Sequence, residues 1–350
     1  MDTLSNKKVI VTGASGQDGS YMIDYLLENT DHYVVGAIRR TSQIIDKYLS
    51  RHYSNPRFKL VHFDLIDSHS VTTTIKNEKP DYFINFGAQT FVADSWQMPT
   101  LHYQVNTMGV LHILEAIKNY APNCRFYNAG SSEEFGDVVT VPQDETHPLR
   151  PRSPYGASKA SSRHLIKVWR ESYGIFAIQG YLFNHESPRR QEYFVTRKIT
   201  TNVARLKAEL RNGQTPTPLT LGNLSSKRDW SDSEDFVEGV WLMLNNATPK
   251  EYVLSSNETH TVREFVTLAF QAANIDGYWV GDAGSLDEKF IHMGTKQPLV
   301  VVDPKFFRPA EVDILLGDST FARRDLGWVP KVSFQQLVKK MTESDLNNYK

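Results

Sequence analysis

Short apolar runs alternate with amphipathic stretches through the first half of the chain. Lys8–Thr12, Tyr33–Ile38, Phe58–Phe63, Tyr82–Phe86, Arg125–Ala129 and Phe176–Phe183 are rich in β-branched and aromatic residues and read as strands. Helical spacing predicts helices over Ser20–Glu28, Val105–Tyr120 and Pro154–Tyr173. Near-continuous apolar strands separated by helices predict an α/β fold, with a doubly wound parallel sheet covered on both faces. After about residue 184 the pattern becomes irregular and more charged. That predicts a nucleotide-binding domain over 1–184 and a smaller, mostly helical domain over 185–350, with segments around 225–260 returning to the first. Near the end, Phe334, Leu337, Val338 and Met341 share one helix face, and Ser333 with Gln336 forms a capping box. This helix is expected to pack and nothing more.

Composition narrows the function classes. A net charge of −1 gives no reason to expect nucleic acid or an anionic membrane as partner. The single cysteine, Cys124, excludes an internal disulfide and a cysteine-based metal site, so no metal is expected. The N-terminal apolar run is too short for a signal peptide, and no stretch of about 18 apolar residues occurs. A cytoplasmic protein is expected.

The first candidate chemistry lies in "VTGASGQDGS", where Gly13, Gly16 and Gly19 sit between the first strand and the first helix. In that context Gly13 permits a tight turn and Gly16 lets backbone N–H groups approach a pyrophosphate. Gly19 lets the helix pack against the sheet, making this a Rossmann-type turn. The next strand runs into Arg39, Arg40, Thr41 and Ser42, where an NAD-binding chain usually carries an acid. Arginine grips a 2′-phosphate well, so NADP is favoured over NAD. Asp64 after the third strand can accept a bond from adenine. Gly87 and Ala88 after the fourth are small enough to let the cofactor pass.

Tyr155 and Lys159 are four apart and share a helix face. A free tyrosine titrates at about 10, so using it as a base at neutral pH needs a cation nearby. Lys159 and an oxidised nicotinamide would supply that charge. The fifth strand leads into "NAGSSEEFG", with Ser131 and Glu133 two apart and so on one side of an extended segment. Ser131 can bond a substrate hydroxyl. Glu133 is a second base, which a plain dehydrogenase does not need. Once a sugar C4 is a ketone, the C5 proton becomes acidic, and a carboxylate can remove it and expel the C6 hydroxyl. Glu134 is expected to point away, to the surface.

"TGASGQDGSY", "SSEEFG", "PRSPYGASK", "LFNHESPRR", "FVTRKI", "LGNLSSKRDW" and "VDPKFFRPAEVDILLGD" resemble the extended short-chain dehydrogenase/reductases. Within that family they resemble the GDP-mannose 4,6-dehydratases. The resemblance implies a lyase that forms a 4-keto-6-deoxy sugar on GDP, with no net redox. It implies a catalytic set of Ser131, Glu133, Tyr155 and Lys159. It places NADP along Gly13, Ser15, Gly16, Gln17, Asp18 and Gly19, then Arg39–Ser42, Asp64, Leu65, Phe86, Gly87, Ala88, Gln89 and Thr90, with His185 and Arg190 reaching it. Asn184, Lys198, Arg228, Arg308 and Glu311 would face the GDP-sugar. A homo-oligomer is implied, a tetramer before a dimer. The departures are Ser131 for the usual threonine, Glu134 for a leucine, and Leu101 for a tyrosine. They keep a GDP-manno-heptose open as substrate. Reduction of the enzyme's own 4-keto product also stays open.

Overall fold

The computed structural model describes residues 6–41, 47–306 and 314–349. Ser42, Arg308 and Glu311 lie outside the described residues. Strands β1 (Lys8–Thr12), β2 (Tyr33–Ile38), β3 (Phe58–His62), β4 (Tyr82–Asn85), β5 (Arg125–Ala129) and β6 (Ala177–Leu182) follow the apolar runs closely. Between them lie α1 (Gln17–Asn29), α2 (Ser68–Glu78), α3 (Pro99–Tyr103), α4 (Gly109–Tyr120) and α5 (Pro154–Tyr173). The helix expected over Val105–Tyr120 begins instead with a π turn, Gln104–Met108, that joins α3 to α4.

The chain then lays down β7 (Asn184–Glu186), α6 (Val195–Arg211), β8 (Leu219–Leu221), β9 (Lys227–Arg228) and β10 (Trp230–Asp232). It continues with α7 (Ser233–Asn245), β11 (Val253–Leu254), β12 (His260–Thr261) and α8 (Val262–Ala272). After these come β13 (Gly277–Val280), β14 (Lys289–His292), β15 (Pro298–Val302), β16 (Ile314–Leu315), α9 (Thr320–Leu326) and α10 (Phe334–Asn348).

Two compact units result. Unit 1 is Met1–Phe183, Ser233–Leu254 and Gly317–Val329. Unit 2 is Asn184–Asp232, Ser255–Leu316 and Pro330–Lys350. The returning segment is therefore shorter than the expected 225–260, and residues 317–329 return as well. The sheet of unit 1 has the order β11-β6-β5-β4-β1-β2-β3. Its pairings are all parallel. The order reverses next to β1, so β1 and β4 diverge at the switch point where ligands bind in such sheets.

The sheet strands are buried on both faces, as continuous apolar runs require. One face packs Met22, Leu26, Phe236 and Val240 of α1 and α7. The other packs Val71, Ile75, Ile113, Leu114 and Ile166 of α2, α4 and α5. Burying each such side chain is worth about 1.5–3 kcal/mol. Cys124, just before β5, is buried in this second cluster, and burial pushes its thiol pKa up. In unit 2, Ile199 of α6, Phe265 and Phe270 of α8 and Leu337 of α10 share one core with Leu299 of β15. The α10 capping box forms as its sequence predicts, with Ser333 Oγ accepting from Gln336 N–H.

Candidate active site

The glycine turn follows β1 directly. Gly13 has φ +62°, the left-handed region that favours glycine. A Cβ there would lie 2.9 Å from Gly87 N, and one on Gly19 would lie 2.2 Å from Gly13 O. The N-cap of α1 is Gly16, which offers no side-chain bond, so the N–H groups of the first turn keep their capacity to meet an anion. Gly16 N–H itself donates to Gly13 O at 2.9 Å. This cradle, shaped by missing side chains, fits a pyrophosphate. Ser15 is half-buried, and Gln17 donates to Asp18 Oδ1 at 3.0 Å. Asp18 Oδ1 also accepts from Ser233 Oγ at 2.7 Å, which ties α1 to α7.

The other expected cofactor residues of unit 1 emerge from the same edge of the sheet. Arg39, Arg40 and Thr41 follow β2 and are exposed. Asp64 follows β3, and its Oδ1 accepts from Ile66 N–H at 3.0 Å. Leu65 is buried, with its carbonyl bonded to His112 Nδ1 at 3.0 Å. Phe86, Gly87, Ala88, Gln89 and Thr90 follow β4. Gly87 N–H donates to Thr12 Oγ1 at 3.0 Å. Asn106 Oδ1 and Nδ2 grip the Gln89 backbone at 2.9 and 3.0 Å, and Nδ2 also reaches Ser158 Oγ. The sequence reading missed Asn106. Nothing in the helical stretch Val105–Tyr120 singles it out from Asn119.

Tyr155 and Lys159 stand on the first two turns of α5. Ser153 caps this helix by accepting from Gly156 N–H at 3.0 Å, with Pro154 opening it. Lys159 Nζ donates to Ala129 O at 2.8 Å and lies 6.0 Å from the centre of the Tyr155 ring. Both residues are buried. Burial lowers the Lys159 pKa to about 8, against the opposing pull of Glu134 and Asp18. The ammonium is thus poorly solvated and turned toward the end of β5, near the Tyr155 ring.

The turn after β5 departs from expectation. Only Ser131 is extended, at φ −154° and ψ 145°, and Ser132–Glu134 then curl into one 3₁₀ turn. Ser131 Oγ accepts from Glu133 N–H at 3.2 Å, so local capping prevails over strand geometry. The reading of Glu134 as a surface residue is overturned. Glu134 is fully buried, while Glu133 is half-buried on the more accessible side of the turn. Arg163 of α5 explains this, because it supplies the charge that allows a carboxylate inside. Gly156 completes the contact: a Cβ there would lie 2.5 Å from Glu133 O, so only glycine lets the head of α5 approach the turn so closely.

The remaining expected residues belong to unit 2 and are not part of the set that unit 1 assembles. His185 sits on β7. Arg190 pairs with Glu186 at 3.2 Å and lies 3.6 Å over the Phe194 ring. Asn184 opens β7, and its Oδ1 is buried with no hydrogen-bond partner among the described residues, an acceptor left open for a donor. Lys198 donates to Thr220 O at 2.7 Å and lies 3.8 Å over Phe306. Burial lowers its pKa. It lines an open pocket of about 470 Å³ with Asn202, Arg205 and Phe306. Arg228 is buried on β9 and donates to Lys227 O at 2.8 Å. Among the described residues no cluster of His, Cys, Asp or Glu could hold a metal, and no helix is long and apolar enough to cross a membrane.

Residues 10–341 match the family model described as GDP-mannose 4,6 dehydratase. The chain is 41% identical to a GDP-mannose 4,6 dehydratase of Drosophila melanogaster, over 97% of this chain and 86% of that one. It is 41% identical to a GDP-mannose 4,6-dehydratase of Vibrio cholerae, over 97% and 94%. Against the Homo sapiens GDP-mannose 4,6 dehydratase it is 40% identical, over 96% and 91%. Among solved structures, a UDP-glucose 4-epimerase from Thermotoga maritima superposes with TM-score 0.81 at 22% identity, covering 98% of this chain and 100% of that one. A dTDP-glucose 4,6-dehydratase from Streptomyces venezuelae gives 0.80 at 21%, covering 97% of each. These two likenesses show the fold. The sequence matches, running through both the glycine cradle and the Ser131–Lys159 site, show that the chain belongs to the GDP-mannose 4,6-dehydratase family of nucleotide-sugar hydro-lyases.

Proposed function

We propose that this hydro-lyase converts GDP-D-mannose to GDP-4-dehydro-6-deoxy-D-mannose and water, with NADP as resident cofactor. One observation carries the reading. Glu133 is half-buried, and its backbone carbonyl lies against Gly156 at the head of the helix that presents Tyr155 and Lys159, which brings an extra carboxylate-bearing residue to that pair. A reductase or epimerase of a nucleotide sugar needs the pair; only elimination needs the extra base.

NADP would be held by the Gly13–Gly19 cradle, with its 2′-phosphate against Arg39 and Arg40. When bound it supplies a hydride acceptor that later gives the same hydride back to the sugar. Tyr155 takes the proton of the C4 hydroxyl, with Lys159 favouring the phenolate. Ser131 keeps its hydroxyl proton for the substrate, because its oxygen already accepts from the turn. Glu133 removes the C5 proton and assists departure of the C6 hydroxyl as water. Asn184, Lys198 and Arg228 are proposed to face the nucleotide sugar, the two cations meeting its diphosphate. By family resemblance the working form is proposed as a cytoplasmic homotetramer.

The test is incubation of the purified chain with GDP-mannose and no added reductant, followed by mass spectrometry and NMR. Loss of one water with appearance of a C4 ketone supports the proposal. Recovery of unchanged GDP-mannose overturns it.

A further inference from the structure

Among the described residues Glu134 is one of the fully enclosed carboxylates, with no exposed surface at all. Its oxygens are filled by named donors. Oε1 accepts from the Ser131 backbone N–H at 2.8 Å, from Gln179 Nε2 at 3.0 Å and from Arg163 at 3.2 Å. Oε2 accepts from Arg163 Nε at 2.5 Å. Arg163 is itself held to β6, donating to Gln179 O at 2.6 Å and Gly180 O at 3.2 Å. Gln179 also donates to Lys159 O at 2.9 Å. A Cβ on Gly130 would lie 2.1 Å from the Gly180 carbonyl oxygen, 2.7 Å from Glu134 Oε1 and 2.8 Å from Arg163, so glycine at the strand exit makes room for the neighbouring strand and the ion pair alike.

We infer that Glu134 is a positioning residue for the dehydration: clamped by Arg163, it holds the backbone N–H of Ser131 and so sets the turn that presents the Ser131 hydroxyl and the Glu133 carboxylate. This rests on the function proposed above. The same carboxylate ties three elements together, accepting from the turn after β5, from the Gln179 amide of β6 and from the arginine of α5. A leucine at 134 would leave the Ser131 N–H without this acceptor and Arg163 as a buried unpaired cation. Glu134 does not touch the sugar; it acts through the two residues that do.

The test compares E134L/R163M, which replaces the ion pair with apolar side chains, and E134D, which keeps the charge toward Arg163 but withdraws it from Ser131 by one methylene. Steady-state rates on GDP-mannose are measured beside hydrogen–deuterium exchange of the peptide covering residues 129–136. In both variants kcat should fall by about tenfold or more, KM should move by less than about threefold, and the 129–136 amides should exchange at least about tenfold faster. E134D decides the matter if the double variant does not fold. Wild-type kcat with wild-type exchange in a folded variant would overturn the inference. So would an equal loss in kcat and rise in KM. A wild-type chain that leaves GDP-mannose untouched would overturn the proposed function, and the exchange result would still decide whether Glu134 anchors the turn.

Discussion

Two turns in unit 1 stand at equivalent places, each following a parallel strand and opening a helical segment, yet they are built in opposite ways. The turn after β1 is shaped by missing side chains: Gly13 and Gly19 leave room that any Cβ would fill. The turn after β5 is shaped by a buried charge, with Glu134 and Arg163 locked beneath it. The first offers backbone N–H groups to a ligand whose charge does the rest. The second must hold a hydroxyl and a carboxylate at set positions against a substrate, which backbone alone does not do. The cost of breaking each turn should therefore appear in different measurements.

The largest expected effect is at the second turn. Glu133→Gln should lower dehydration by about 10²–10⁴-fold while cofactor binding stays intact, read by NMR of product and by fluorescence titration of NADPH. Retained dehydration would remove Glu133 from the mechanism. At the first turn, Gly19→Ala should destabilise the fold by about 1–3 kcal/mol and weaken cofactor binding, because α1 must move off Gly13 O. Thermal melts and the same titration check this, and an unchanged melt would show that the cradle yields. Arg39→Ala and Arg40→Ala should each weaken NADPH by about ten- to a hundredfold and leave NADH unaffected, consistent with about 1.5–3 kcal/mol per charged hydrogen bond. Equal losses for both cofactors would break the 2′-phosphate assignment.

The smallest effect is a pH dependence. Burial lowers the Lys159 pKa in the folded state from its ordinary 10.5 to about 8. Between those values the unfolded chain binds the extra proton, so this group's penalty is present below pH 8 and is relieved as pH rises toward 10. The stability difference between wild type and Lys159→Met, measured by denaturant unfolding, should therefore shift in favour of wild type over that window. A constant difference would contradict the burial of the ammonium.

The first turn was nearly complete in the sequence, and so were β1, β2, β5 and α5, whose bounds the apolar runs and the Ser-Pro cap define. Backbone-built sites are legible because glycine spacing states the geometry outright. The second turn was half legible. Ser131, Glu133, Tyr155 and Lys159 could be named, but alternation along an extended chain sent Glu134 to the surface. The missing partner lay in α5, where Tyr155, Lys159 and Arg163 recur every four residues, and in β6, where Gln179 interrupts an apolar strand. Such a contact joins residues far apart in sequence, and local periodicity does not report it. Local masking hid α7, whose start at Ser233 falls within a charged run, and α6, whose basic residues mask its buried stripe of Ile199, Val203 and Leu206.

Cys124 has a practical consequence. Its thiol is enclosed before β5, and burial keeps it protonated at neutral pH, so alkylating reagents find no thiolate on the folded chain. The protein thus comes with a silent background for thiol chemistry. A cysteine introduced at the exposed Glu28, and a second in unit 2, would take dyes or spin labels alone, and the distance between the labels could be followed through turnover without first removing the native sulfur.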